Sequence, residues 1–203
     1  MKKSIITGLT GQSGSGKTTV SNVFKNEGFS VINCDLVARN VTKQGSDCNR
    51  ELSKYFPECF DNNFVLDRQK LAKIVFSDKE SLLLLNATIF PYITKAIETE
   101  IENISSSGSE YILLDAPTLF ESGANKLCDV IVSCIADRET RIERIALRDN
   151  IQKELIENRF NSQKTEKYFI EHSDYIIDNS KDKHFAELQC KEIIKKIKRR
   201  FNG

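Results

Sequence analysis

With 203 residues, 39% of them hydrophobic, the chain is long enough to bury a core of its own, and its length points to one domain or a core with a small insertion. Thirty Lys and Arg stand against 29 Asp and Glu, a net charge of +1, so no global field recruits DNA, RNA or an acidic membrane, and any anion site has to be local. Cys34, Cys48, Cys59, Cys128, Cys134 and Cys190 form no CxxC pair and no zinc spacing, the start carries no signal-peptide pattern, and no apolar run reaches the roughly 18 residues that span a bilayer; the expectation is a reduced, cytoplasmic protein whose cysteines are mostly small buried hydrophobes.

In chain order the first predicted strand is SIITGLT from Ser4, which runs into a glycine-rich loop. TTVSNVFKNEGF follows, with Val20, Val23 and Phe24 on one helical face and Gly28 as a stop. FSVINCD from Phe29 is the second strand, which completes a βαβ unit. From about residue 48 to 102 the pattern is helical with no convincing strand; Ser77-Asp-Lys-Glu80 reads as a capping box and Pro91 as a helix start or kink. Ser105-Ser-Ser-Gly-Ser109 closes that stretch. YILLDAP from Tyr111 and DVIVSCIAD from Asp129 are the third and fourth strands, a charged helical excursion covers about 138–169, and DYIIDN from Asp174 is the fifth strand. The tail from about His184 to Arg200 reads as a closing helix in which Leu188, Ile193, Ile194 and Ile197 make the apolar face. Short apolar runs alternating with helices predict an α/β fold with a five-stranded parallel sheet covered by helices.

Gly11-Gln-Ser-Gly-Ser-Gly16-Lys17-Thr18 meets the pattern GxxxxGK[ST] in full, after a strand and before an amphipathic helix. Glycines let successive backbone N–H groups converge on phosphate oxygens, and the helix that begins at Lys17 adds the positive end of its dipole. Gly11, Ser13, Gly14, Ser15, Gly16, Lys17, Thr18 and Thr19 are therefore the candidate phosphate-binding residues, with Lys17 reaching the outer phosphates and the Thr18 hydroxyl a magnesium ligand. The expected ligand is a nucleoside triphosphate with Mg²⁺. The loop does not name the acceptor of the phosphoryl group, which has to be read from carboxylates and cations elsewhere.

Asp35 ends the second strand run, at the carboxyl edge where an open parallel sheet binds ligands, so it can accept or orient a hydroxyl proton; the alternative is a helix N-cap for Leu36 onward. Asp115 ends the third run and can hold magnesium through water, or serve as a turn residue. Arg141, Arg144 and Arg148, at i, i+3 and i+7, fall on one helical face. Solvated pairs with Glu139, Glu143 and Asp149 are the usual reading for such residues, yet phosphoryl transfer needs mobile cations; Arg148 is the choice for that role and Arg159 the second. His172 and His184 read as surface residues, and the cysteines suggest no nucleophile constellation.

Several segments together resemble the dephospho-CoA kinase family: GLTGQSGSGKTTVSNVF, VINCDLVAR, LDRQKLAKIVF, LLDAPTLFESG and HSDYIIDNS, spread over nearly the whole chain. The resemblance implies a three-layer α/β/α P-loop NTPase fold and transfer of a phosphoryl group from ATP to the ribose 3′-hydroxyl of dephospho-CoA. It further implies a core at about 1–47, 105–137 and 170–203, a helical CoA-binding insertion at about 48–104 and a lid at about 138–169. On the matching positions it makes Asp35 the catalytic aspartate, Lys17 and Thr18 the phosphate and magnesium residues, Arg148 a lid arginine, Arg39 and Arg68 substrate-side residues, and Asn179, after Asp178, a neighbour of the adenine. Three departures stand out. Asn33 and Cys34 replace the first two residues of the family's DAD motif, Phe90 precedes Pro91 where the family has histidine, and Thr118 replaces an aliphatic residue.

Other readings of the same loop are another nucleotide- or nucleoside-type kinase, a switch GTPase, for which no NKxD sequence follows, and a non-catalytic nucleotide sensor. ATP over GTP is implied by the resemblance alone, and the simplest expectation for assembly is a monomer.

Overall fold

Each β-branched run becomes a strand, and the turn residues around it set its ends. The computed structural model describes residues 4–202 apart from residue 162, so the expected domain limits at residues 1 and 203 lie outside the described residues. In chain order the elements are β1 (Ile5–Gly11), α1 (Lys17–Asn26), β2 (Ser30–Asn33), α2 (Cys34–Val41), α3 (Asp47–Tyr55), α4 (Arg68–Ser77), α5 (Lys79–Ser106), β3 (Tyr111–Asp115), β4 (Val130–Ile135), α6 (Arg138–Asp149), α7 (Lys153–Asn161), α8 (Glu166–Glu171), β5 (Tyr175–Asp178) and α9 (Lys183–Asn202). Short 3-10 turns lie at Pro57–Cys59 and Ala124–Leu127.

The strands form one five-stranded parallel sheet in the order β2-β3-β1-β4-β5. β1 runs between β3, with Leu9 opposite Asp115, and β4, with Gly11 opposite Cys134. β5 pairs with β4 up to Asp178 opposite Ile135. Parallel strands end at one edge, so the segments following β1, β3, β4 and β5 leave the sheet side by side, the arrangement in which α/β proteins bind ligands.

The chain divides into two compact units, one holding the residues up to Ile32 and from Ile104 onward, the other Asn33–Asn103. In the first unit Leu9, Leu113, Val132, Cys134 and Ile177 of the sheet join Val20, Val23 and Phe24 of α1 and Ala186, Cys190, Ile193, Ile194 and Ile197 of α9 in one buried cluster. Leu188 is 50% exposed and does not belong to that face: it lies two residues, about 200° around the helix, from buried Cys190. The Phe24 and Phe29 rings meet edge to face at 4.8 Å, and Phe29 in turn contacts Tyr111 at 5.2 Å.

The second unit has its own core of Cys48, Leu52, Phe56, Cys59, Leu71 and Val75. Its helices start on side-chain caps: Ser46 Oγ accepts from Asn49 N at 3.1 Å, and Asp67 Oδ1 accepts from Gln69 N and Lys70 N at 3.0 Å. The cap of α5 is displaced by one residue from the expected capping box. Ser77 still belongs to α4, where its hydroxyl donates to the Ile74 carbonyl, and the Asp78 carboxylate accepts from Ser81 N at 2.7 Å. Pro91 neither starts nor ends a helix but lies inside α5. Phe60 and Leu66 form an isolated antiparallel bridge. Among the described residues no helix is long and apolar enough to cross a membrane.

Candidate active site

The glycine loop joins β1 to α1 by a path that side chains would block. At Gly11 a Cβ would strike the Cys134 carbonyl oxygen, and at Gly14, with φ +81°, it would lie 2.7 Å from the Arg141 carbonyl oxygen. Gly16, at φ 89°, is the N-cap of α1 and supplies no side-chain acceptor, so while Thr19 N already donates to the Gly16 carbonyl at 2.9 Å, no side chain caps the N–H groups of Lys17 and Thr18 or offsets their positive partial charge. That is the physical make-up of an anion site.

Around the loop, side chains from later segments of the first unit grip its backbone carbonyls, and one of them also holds a backbone N–H. The Ser15 carbonyl accepts from Asn179 Nδ2 at 2.7 Å and from Cys134 Sγ at 3.2 Å. Asn179, buried just after β5, passes the connection on, because its own carbonyl accepts from Arg144 Nη2 at 3.0 Å. Arg144 Nη1 also approaches the Gly14 and Ser15 carbonyls at 3.5 and 3.4 Å. Arg141, 6% exposed, donates from Nε to the Ser13 carbonyl at 2.9 Å, with its guanidinium 4.0 Å from the centre of the Phe160 ring. Burial works against its charge and lowers its pKa, while Glu166 acts in the opposite sense. Gln163, three residues before α8, completes the grip: Oε1 accepts from Ser13 N at 3.1 Å and Nε2 donates to Ser13 Oγ at 2.6 Å.

These contacts overturn the reading of Arg141 and Arg144 as solvated ion-pairing residues; both face the loop. Arg148 shares their helical face, but lies about 6 Å further along the axis than Arg144. It is 63% exposed there and pairs with Asp149 through Nε at 2.7 Å and Nη2 at 2.9 Å. Arg159 Nη1 meets the same carboxylate at 2.7 Å. Hydrogen bonds from Arg148 and then Arg159 hold the Asp149 carboxyl well below the usual carboxylate range. Gln163 carried no motif or charge that the sequence could flag, and the role of Arg141 depends on a contact across 128 residues and that of Arg144 on one across 35.

Lys17 Nζ is bonded to Asp115 Oδ1, with the two side chains 17% and 11% exposed. Asp115 is thus no simple turn residue: from the end of β3 it holds the loop lysine. The Thr18 side chain is exposed at the start of α1. A hydroxyl and a carboxylate are the hard oxygen donors that magnesium takes in small number when phosphates and water supply the rest, so the residues present fit that ion. Among the described residues no cluster of three or more His, Cys, Asp or Glu is placed to hold a metal by itself.

Asp35, Arg39 and Arg68 belong to the second unit. β2 ends at Asn33, two residues earlier than the expected strand, and Asp35 lies exposed in the first turn of α2. The capping alternative for Asp35 is excluded, because Asn33 Oδ1 accepts from Leu36 N at 3.0 Å and is itself the N-cap. The first departure from the DAD pattern is therefore a residue with a structural task. Arg39 is exposed in the last turn of α2, and Arg68 Nη2 reaches its carbonyl at 3.3 Å and Thr42 Oγ1 at 2.5 Å. Thr118 is exposed while Leu119 beside it is fully buried, so the aliphatic-to-threonine departure falls on the surface. His172, also exposed, stacks on Tyr168 at 3.9 Å.

A family model described as Dephospho-CoA kinase matches residues 5–184. A dephospho-CoA kinase of Fusobacterium nucleatum is 35% identical over 195 residues, covering 96% of this chain and 96% of its own. Among solved structures, that of a Thermus thermophilus protein superposes with a TM-score of 0.82 at 28% identity, over 96% of this chain and 98% of the other. The dephospho-CoA kinase from Campylobacter jejuni gives 0.70 at 24% identity, over 95% and 96% of the two chains, which is likeness of fold.

Proposed function

The chain belongs to the dephospho-CoA kinase family, and from that premise we propose how its residues divide the work of moving a phosphoryl group from ATP to dephospho-CoA. The activity is that of a phosphotransferase in the final step of CoA synthesis. The observation that carries the reading at the level of residues is the uncapped start of α1, with Lys17 held by Asp115 at the carboxyl edge of the sheet.

The triphosphate lies on the loop residues Gly11, Ser13, Gly14, Ser15, Gly16, Lys17, Thr18 and Thr19, with its adenine near Asn179. Lys17 places its charge on the outer phosphates, and Asp115 keeps the ammonium aimed until the anion arrives. Thr18, and Asp115 through water, would hold magnesium, whose charge would offset that of the phosphates. Asp35 takes or orients the proton of the ribose 3′-hydroxyl as that oxygen attacks in line, and Arg148, released from Asp149, steadies the equatorial oxygens of the transferring group. Arg39 and Arg68 bind dephospho-CoA. The helical stretch at about 48–104 is the CoA-binding insertion, the segment at about 138–169 is the lid, and the protein works as a monomer in the cytoplasm.

The test is ADP release by the purified protein in MgATP. Release stays low with ATP alone and rises on adding dephospho-CoA, while adenosine and AMP leave it low. ADP formed with AMP and not with dephospho-CoA would assign the chain to another nucleotide-type kinase.

A further inference from the structure

Ser13 is held from three directions, all within the first unit. Its N–H donates to Gln163 Oε1, its hydroxyl accepts from Gln163 Nε2, and its carbonyl accepts from Arg141 Nε. A carboxamide suits this task, since it offers an acceptor and two donors on one carbon and can serve two groups of the same residue at once. The proposed reaction gives Gln163 no part, and no charge or motif accounts for its place.

The N–H that Gln163 occupies is one of those a phosphate loop offers to its ligand. A backbone N–H donates one good bond, so Gln163 Oε1 and a phosphate oxygen compete for it. A bond to a charged oxygen is roughly twice as strong as one between neutral groups, which favours the phosphate. Ser13 is four residues ahead of Lys17, at the strand end of the loop, whereas the inner phosphates are served by the start of α1. The strand end is also where Asp115 waits with the ammonium of Lys17. With Lys17 assigned to the outer phosphates in the proposed reaction, that end is the one for the terminal phosphoryl group.

We propose that Gln163 is a positioning residue that distinguishes ATP from ADP through Ser13. Its carboxamide holds the Ser13 N–H until the terminal phosphoryl oxygen takes it, and the exchange releases Gln163 and the residues that lead from it into α8, while ADP leaves the pair in place. The inference rests on the reading of the loop as an ATP site. Arg141, which holds the Ser13 carbonyl and leaves the N–H alone, keeps the loop in shape during the exchange.

The experiment compares the wild-type protein with Gln163→Ala by calorimetric titration of a non-hydrolysable ATP analogue and of ADP, each with magnesium, and by amide hydrogen exchange of residues 163–168. Removing the competitor tightens the ATP analogue about three- to tenfold, the size of one neutral hydrogen bond, and leaves ADP within about twofold. In the wild type, exchange at 163–168 speeds up with the ATP analogue and not with ADP, an arm that holds even if the variant does not fold. Equal changes for both nucleotides, weaker binding of the ATP analogue by the variant, or equal exchange with both ligands would overturn the proposal. If the wild type binds neither nucleotide, the ATP reading itself fails.

Discussion

Replacing Arg144 by Ala tests whether α6 holds the phosphate loop in shape. Its Nη2 bond to the Asn179 carbonyl, at 3.0 Å, is of full strength, whereas the approaches of Nη1 to the Gly14 and Ser15 carbonyls, at 3.5 and 3.4 Å, are too long to count. One hydrogen bond to a charged donor contributes about 1.5–3 kcal/mol. In a chain of this size each kcal/mol moves the unfolding midpoint by about 2–4 °C, so Arg144→Ala lowers Tm by about 3–12 °C. ATP affinity falls with it, because Asn179 also holds the Ser15 carbonyl. Arg148→Ala is the matched control on the same helix face: its pair with Asp149 is exposed, and such pairs contribute about 0–1 kcal/mol. That variant keeps Tm within about 4 °C and ATP affinity unchanged, and loses kcat, as expected of a cation that acts on the transferring group. Thermal unfolding followed by circular dichroism, with nucleotide titration, separates the two. Equal loss of Tm in both variants, or an unmoved Tm for Arg144→Ala, would refute the division of labour between them.

The Asp149 carboxyl, depressed by Arg148 and Arg159, adds stability that is fully present above the ordinary aspartate pKa of about 3.9 and is lost as pH falls through the depressed value. Its carbon-13 chemical shift should show it still ionised at about pH 3, and an ordinary midpoint would contradict the arginine cluster. Burial pushes the Cys134 thiol up to about 11 and the Cys190 thiol up to about 12. Neither should react with iodoacetamide in the folded protein at about pH 8, where thiolate is the reactive form, and modification at the rate of an exposed thiol would show the core is open. Gly16→Ala puts a side chain at φ 89° and drives it into Asn179 Nδ2, which has to give up the Ser15 carbonyl. Strain and a lost buried bond together cost about 2–4 kcal/mol, so ATP affinity falls more than tenfold, and wild-type affinity would mean the loop relaxes elsewhere.

The parts of the fold with local causes were legible. Five apolar runs, a glycine loop at the first strand's end and Gly28 after α1 are short-range signals, and the strands form where those signals lie. The misplacements are of two kinds. Asn33 and Asp78 took caps assigned to neighbours, because several polar residues compete for one helix start and a carbonyl or carboxylate oxygen two to three residues before the first N–H groups decides it. Leu188 was grouped with an apolar face on hydrophobicity, though its angle on α9 points it to solvent. The loop-gripping residues are of another order. Periodicity correctly set Arg141, Arg144 and Arg148 on one face, but which of them meets Ser13 and Asn179 is fixed by how far α6 extends past the loop. That distance is a property of the packed sheet. Gln163 meets Ser13 across 150 residues of chain, and nothing in its own neighbourhood announces it.

The central claim is that Asp35 is the proton acceptor or orienting base for the 3′-hydroxyl, and it rests on an exposed carboxylate in α2 that caps no helix. Its most direct test is Asp35→Asn, assayed for CoA formed from dephospho-CoA and MgATP alongside ATP affinity. The account predicts turnover lower by about 10² or more with ATP binding unchanged, as for loss of a positioned base. Turnover near that of the wild type would contradict it.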